Sequence, residues 1–130
     1  MIRAISLMVL GLSACQSDET LTAYGAADTV WQLAEVNDQP FPARATITFP
    51  EEGKISGQGP CNTYSGTQSV PYPWFKAEGI AATRMACEDL EAEGSFFAML
   101  MSATLVEIGG DVMILSNETG LKMIFEAQPD

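Results

Sequence analysis

The sequence predicts an α+β fold: a small antiparallel curved sheet or partly open β-barrel of about seven to eight short strands, with one α-helix packed on it. Three observations predict it. Short runs of alternating apolar and polar residues recur along the chain, separated by clusters of Gly, Pro, Asn and Asp. The connections between these runs are too short for parallel βαβ crossovers, so antiparallel hairpins dominate. One stretch, residues 89–103, carries apolar side chains at helical spacing.

The elements follow in order. Residues 29–36 alternate, with Trp31, Leu33 and Glu35 on one face and Val30, Gln32, Ala34 and Val36 on the other, as a strand requires. Residues 37–40 form a turn cluster. Residues 44–49 are the second strand, with Ala45, Ile47 and Phe49 sharing a face, and residues 54–57 return after the turn at 50–53. Residues 57–66 hold three glycines and one proline, which forbid a long helix and permit positive φ or close backbone approach. Short strands are expected at 68–70 and at 75–80. Between them Tyr72, Trp74 and Phe75 accompany two prolines, which suits an edge or bend. These aromatics are either an exposed recognition patch or the closure of one end of the barrel.

The helix over 89–103 opens with Glu88, Asp89, Glu91 and Glu93, the favourable sign for a helix N-terminus. That acidic set lacks the ligand spacing of a calcium loop, and a solvated helix start accounts for it. The pairs Phe96/Leu100 and Phe97/Met101 give one broad apolar face, extended by Leu90, Met99 and Ala103. Gly94 weakens the helix by about 1 kcal/mol relative to alanine. Residues 104–108 and 111–115 flank Gly109-Gly110 as a hairpin. After the turn at 117–120, the last strand spans 121–125 with Leu121, Met123 and Phe125 facing one way. The methionines sit mainly at apolar positions and read as core filling.

The N-terminus reads as an address. Arg3 gives a positive start, and residues 4–11 form an apolar segment too short to span roughly 30 Å of hydrocarbon. Leu12-Ser13-Ala14-Cys15 then resembles the bacterial lipobox: an aliphatic residue, two small residues and the cysteine that is acylated. The resemblance implies that residues 1–14 are a lipoprotein signal peptide, removed to leave lipid on the thiol and new amino group of Cys15. An ordinary signal peptide, or a buried helix with a chance cysteine, is the alternative. Each buried methylene contributes about 0.8 kcal/mol, so several acyl chains would hold the protein at the membrane essentially permanently. Gln16 takes the place where an aspartate marks inner-membrane retention in enteric bacteria, so the outer membrane is expected. Residues 15–28 are polar and small, without period, and read as a lipidated tether. The expected location is the bacterial cell envelope, facing the periplasm.

Cys61 and Cys87 remain once Cys15 is set aside. An even pair in an oxidising compartment is most simply a disulfide, contributing roughly 3.5 kcal/mol for a loop of about 26 residues. A metal pair would lack further ligands, and a redox pair normally has CxxC spacing. Free thiols are the remaining alternative.

Composition removes whole classes of function. The chain has no histidine, which excludes Ser-His-Asp triads, Cys-His dyads and HExxH zinc sites. Seventeen acids against six bases give a net charge of −11, the wrong sign for nucleic acid. No phosphate-binding glycine loop is present. No cofactor, metal or catalytic residue is assigned.

Taken together, several blocks resemble the META domain family, that of HslJ-like bacterial lipoproteins. They are Trp31-Gln32-Leu33, the turn at 37–40, residues 45–49, and Ile55-Ser56-Gly57 leading into Cys61-Asn62-Thr63-Tyr64-Ser65-Gly66. Residues 80–87, with Thr83-Arg84-Met85-Ala86-Cys87, continue the match, as do Glu93, Phe96 and the closing segments to Phe125. The resemblance covers residues 29–126, leaving 127–130 as a C-terminal tail, and departs from the family pattern at Pro60. It implies a small β-rich domain with one helix and no established enzyme activity. Bacterial relatives are associated with heat shock and novobiocin resistance, protozoan ones with virulence, and some have been compared with lipid-binding pilotins.

The leading expectation is a non-enzymatic envelope lipoprotein, a stress-related interaction module with a protein partner in the envelope. The alternative is a pilotin-like chaperone or carrier holding a lipid or apolar peptide between sheet and helix, against Phe96, Leu100 and Met101. An Asp/Glu hydrolase is a third reading with no positive sign. Asn62, Tyr64, Thr83 and Arg84 are the candidate ligand-binding residues; the competing reading is that they serve a tight, disulfide-stapled loop. Arg84 either holds an anion or pairs with an acid such as Glu88.

Overall fold

The computed structural model describes residues 28–129; residues 1–27, on which the expected signal peptide, the expected lipidation at Cys15 and nearly all of the expected tether fall, lie outside the described residues. Nine strands and one helix follow in the order β1 (Trp31–Val36), β2 (Gln39–Pro40), β3 (Thr46–Ile47), β4 (Lys54–Gln58), β5 (Thr63–Thr67), β6 (Glu78–Ala82), α1 (Leu90–Ser102), β7 (Leu105–Gly109), β8 (Val112–Ser116) and β9 (Lys122–Ala127). Every pairing is antiparallel. One sheet runs β2-β1-β9-β8-β7, with β3 also on β1; the other runs β4-β5-β6. A bridge between Thr48 and Ser56 links them, and they do not close into a barrel.

The strands alternate because one face of each is buried. Trp31 and Leu33 of β1, Met113 and Leu115 of β8, and Met123 and Phe125 of β9 point into one core. Phe96 and Leu100 of α1 join them with no exposed surface. Asn37 and Asp38, with φ of 50° and 67°, make the two-residue turn that right-handed strand twist favours, so β1 and β2 pair as a tight hairpin.

Several expectations are corrected. Residues 68–70 are not a strand, because Gln68 is buried and its side chain organises the loop: its Nε2 donates to Val70 O and its Oε1 accepts from Lys76 N–H. The strand lies earlier, at β5, where only Tyr64 of Thr63–Thr67 is buried and the sequence looks like loop. The next strand, β6, sits later than 75–80. The hairpin after β7 turns on Gly110-Asp111, one residue beyond Gly109-Gly110, since Gly109 pairs with Val112. The aromatic group divides: Phe75 is buried, Tyr72 accepts a hydrogen bond from Ile108 N–H, and Trp74 is 58% exposed. Met113 and Met123 fill core, while Met85 and Met101 do not.

Tyr64 joins both sheets and the helix. Its hydroxyl donates to Thr46 O at 2.6 Å, and its ring meets Phe96 and Phe97 edge-on at 5.8 and 5.3 Å. Burial pushes the phenol far above its ordinary pKa, so it stays protonated and donating. The stability it provides is complete below about pH 10, where unfolded tyrosine starts to ionise, and declines as pH rises from there toward the raised native value. Tyr64→Phe is expected to cost about 1–3 kcal/mol near neutrality by orphaning Thr46 O. Urea unfolding at a series of alkaline pH values should show the gap between wild type and variant closing above about pH 10.

Candidate functional site

Three pieces of chain meet at one end of the small sheet: the β4–β5 turn, the extended segment after β6, and the first turns of α1. The turn closes when Gly59 N–H bonds Asn62 O at 2.7 Å. This aims the N–H groups of Cys61 and Asn62 the same way, as an anion-binding nest does. Glu93 fills the nest from the helix. Its Oε2 accepts from Cys61 N–H at 2.7 Å and Asn62 N–H at 2.6 Å, and its Oε1 accepts from Asn62 Nδ2 at 2.6 Å.

Glu93 is only 4% exposed, which corrects the expectation that the whole acidic helix start is solvated. It lies three residues before Phe96 and seven before Leu100, within the buried stripe of α1. That register is the signal from which its burial is readable in the sequence. Gly59 gives the carboxylate room: a Cβ there would lie 2.7 Å from Glu93 Oε2.

Asn62 spends the rest of its side chain on the next segment. Its Oδ1 accepts from Met85 N–H at 2.6 Å and Thr83 Oγ1 at 2.9 Å, and its Nδ2 also donates to Met85 O at 3.0 Å. The amide therefore pairs with Met85 as a neighbouring strand would. The Cys61–Cys87 disulfide is present, with Cα atoms 5.8 Å apart, and fastens the turn to the same segment two residues on.

A cleft of about 620 Å³ opens beside this seam. Residues 80–86 form one wall, and Leu90, Glu93 and Phe97 of α1 form the other, with Asn62 at the base. Three of the four candidate ligand residues, Asn62, Thr83 and Arg84, come together here, whereas Tyr64 is buried in the core and does not line it. Met85 at 66% and Leu90 at 49% exposure present apolar surface at the cleft. Both lie outside the candidate ligand set read from the sequence. Arg84 makes no ion pair among the described residues, where the sole pair is Lys76–Glu78. Those residues also hold no group of three or more His, Cys, Asp or Glu placed to bind a metal.

Asn62 and Glu93 are expected to act as one unit in stability. Glu93→Gln keeps the shape but turns an amide toward existing donors, costing about 2–3 kcal/mol. Asn62→Ala costs a similar amount, and the double variant less than the two together, because each single change orphans the other's partners. Urea unfolding of the four proteins with the disulfide intact measures this.

Comparison with known proteins places the fold. The chain is similar to a protein from Burkholderia xenovorans solved by NMR: TM-score 0.65, 22% identity, covering 84% of this chain and 88% of that one. It is also similar to a DUF4847 family protein from Bacteroides vulgatus solved by crystallography: TM-score 0.61, 16% identity, covering 81% and 96%. At these identities the likeness is one of fold alone. No curated protein matches. The META domain model matches residues 20–130, nearly the whole chain, and the protein accordingly belongs to the META domain family.

Proposed function

We propose that this protein is a non-enzymatic lipoprotein of the bacterial envelope, anchored by acyl chains on Cys15, whose META domain docks another envelope component. The observation that carries the reading is the open cleft, with apolar Met85 and Leu90 and cationic Arg84 presented beside a rigid seam. Exposed apolar side chains that share a concave surface mark recognition sites. The buried polar groups of the cleft support a non-catalytic role, since Asn62 and Glu93 are committed to hydrogen bonds within the fold. A stress-related setting draws on the family's association with heat shock.

The carrier reading has less support. Phe96 and Leu100 are enclosed in the core, and Met101 is 54% exposed on the helix, so these three do not surround a common cavity. No helix among the described residues is long and apolar enough to cross a membrane, so membrane attachment in this proposal rests on the lipid alone.

Two measurements test the reading. Metabolic labelling with palmitate is expected to mark the wild type, and Cys15→Ser is expected to abolish both label and sedimentation with the outer membrane. A photoreactive amino acid at position 85 or 90 should give a discrete polypeptide adduct in intact envelopes, and one at exposed Glu118 should give none. Absence of adduct at both cleft positions defeats the docking role.

A further inference from the structure

A sheet edge offers unpaired N–H and C=O groups to any strand that fits, and most proteins cover such edges. In the large sheet, the β7 edge is covered: Val106 N–H bonds Pro73 O at 2.8 Å, and Phe75 N–H bonds Thr104 O at 2.9 Å. At the other edge, β2 is two residues long. In the small sheet, the β4 edge is tied to the chain around β3 by the Thr48–Ser56 bridge and by Gln58 N–H to Thr46 Oγ1. The remaining edge is β6, which has no outer neighbour among the described residues.

The direction of its backbone groups follows from the ladder. Thr83 N–H bonds Thr63 O, so residue 83 faces inward, toward β5. Met85 also faces inward, both its N–H and its C=O being taken by the Asn62 amide. Antiparallel alternation then turns the backbone groups of Ala82 and Arg84 outward, along the stretch that walls the cleft. Asn62 thus keeps the open edge extended for two residues beyond the end of β6.

The opposite wall completes a groove. Leu90 and Phe97 line the cleft from one stripe of α1, next to the buried stripe; Gly94 and Met101 share that stripe but not the cleft lining. Leu90 and Met101 are exposed and Phe97 half-buried. A strand laid on the β6 edge would alternate its side chains, every second one meeting this apolar stripe. Arg84 adds a cation that carries no ion pair among the described residues, in a chain of net charge −11.

We infer that the cleft is a β-addition site: an extended peptide pairs with the backbone of Ala82 and Arg84, sets alternate apolar side chains against Leu90 and Phe97, and presents a carboxylate to the Arg84 guanidinium. This rests on the docking role proposed above and names the chemistry of its partner. The carboxylate is either a chain terminus or an acidic side chain.

The test uses the full-length protein, extracted from envelopes in mild detergent with its disulfide intact. A random octapeptide library displayed with free C-termini is selected on it, and enriched peptides are resynthesised. The expected peptides alternate apolar residues. N-methylation of every second amide should weaken binding at least about tenfold, and methylation of the intervening amides should leave it unchanged. Amide resonances of Ala82 and Arg84 should move on binding. Arg84→Gln should weaken the acidic peptides severalfold; if amidating the C-terminus has the same effect, the terminus is the carboxylate, and if not, it is a side chain. Ala82→Pro should abolish binding with the circular dichroism spectrum unchanged, because the lost N–H faces outward. Peptides that bind with no dependence on N-methylation overturn strand addition and leave the docking role standing. Failure to enrich any peptide, with photo-adducts still formed at positions 85 and 90, overturns the peptide partner alone; failure of both overturns the docking role as well.

Discussion

A carboxylate shut away from water has to find its hydrogen bonds inside the protein, and Glu93 finds three on two consecutive residues. That requirement fixes much of what surrounds it. The β4–β5 turn has to present adjacent N–H groups, so glycine is needed at 59, where any side chain would strike the carboxylate. The helix has to enter with residue 93 inward, which puts Phe96 and Leu100 in the core at the same time. Charge-assisted bonds of this kind are the strong ones, each contributing about 1.5–3 kcal/mol, and removing the acceptor would leave the Cys61 and Asn62 N–H groups unmatched. The disulfide adds a covalent fastening beside this arrangement. Asn62, the hinge between turn, helix and the segment after β6, is therefore held by both its backbone and its side chain.

The fold was legible where the hydrophobic period was strong. Residues 29–36, 111–115 and 121–125 alternate cleanly and became β1, β8 and β9 within one or two positions. The helix was legible from Phe96, Leu100 and its acidic first turn. Its exposed side was not: Leu90 and Met101 share the apolar chemistry of Phe96, and only packing decides which of them meets the core. The strand β5 was invisible because Thr63, Ser65, Gly66 and Thr67 surround one buried aromatic, and polar and glycine residues read as loop unless their pairing partners are known. Glu93 looked solvated because acids at helix starts usually are, and the N–H groups that justify its burial lie 31 and 32 residues earlier.

The same limit applies to the cleft. Asn62, Thr83 and Arg84 were recognisable as a polar cluster, but their meeting depends on a side-chain amide standing in for a strand. Nothing in a period or a spacing reports that substitution. Tyr64, equally conspicuous in the sequence, turned out to connect the sheets and the helix from within the core.

The ladder between the first and last long strands of the large sheet has a mechanical side. β1 and β9 are antiparallel, with Trp31 opposite Ala127 and Gln128 N–H bonded to Val30 O, so the two ends of the described chain leave from the same end of the same strand pair. Tension applied between those ends would act across the ladder rather than along it. The bonds would then carry load one after another, as the teeth of a zipper do, and the pair would open at low force from residue 31 inward. Load that enters through one end only and leaves elsewhere in the domain would bypass this weak direction.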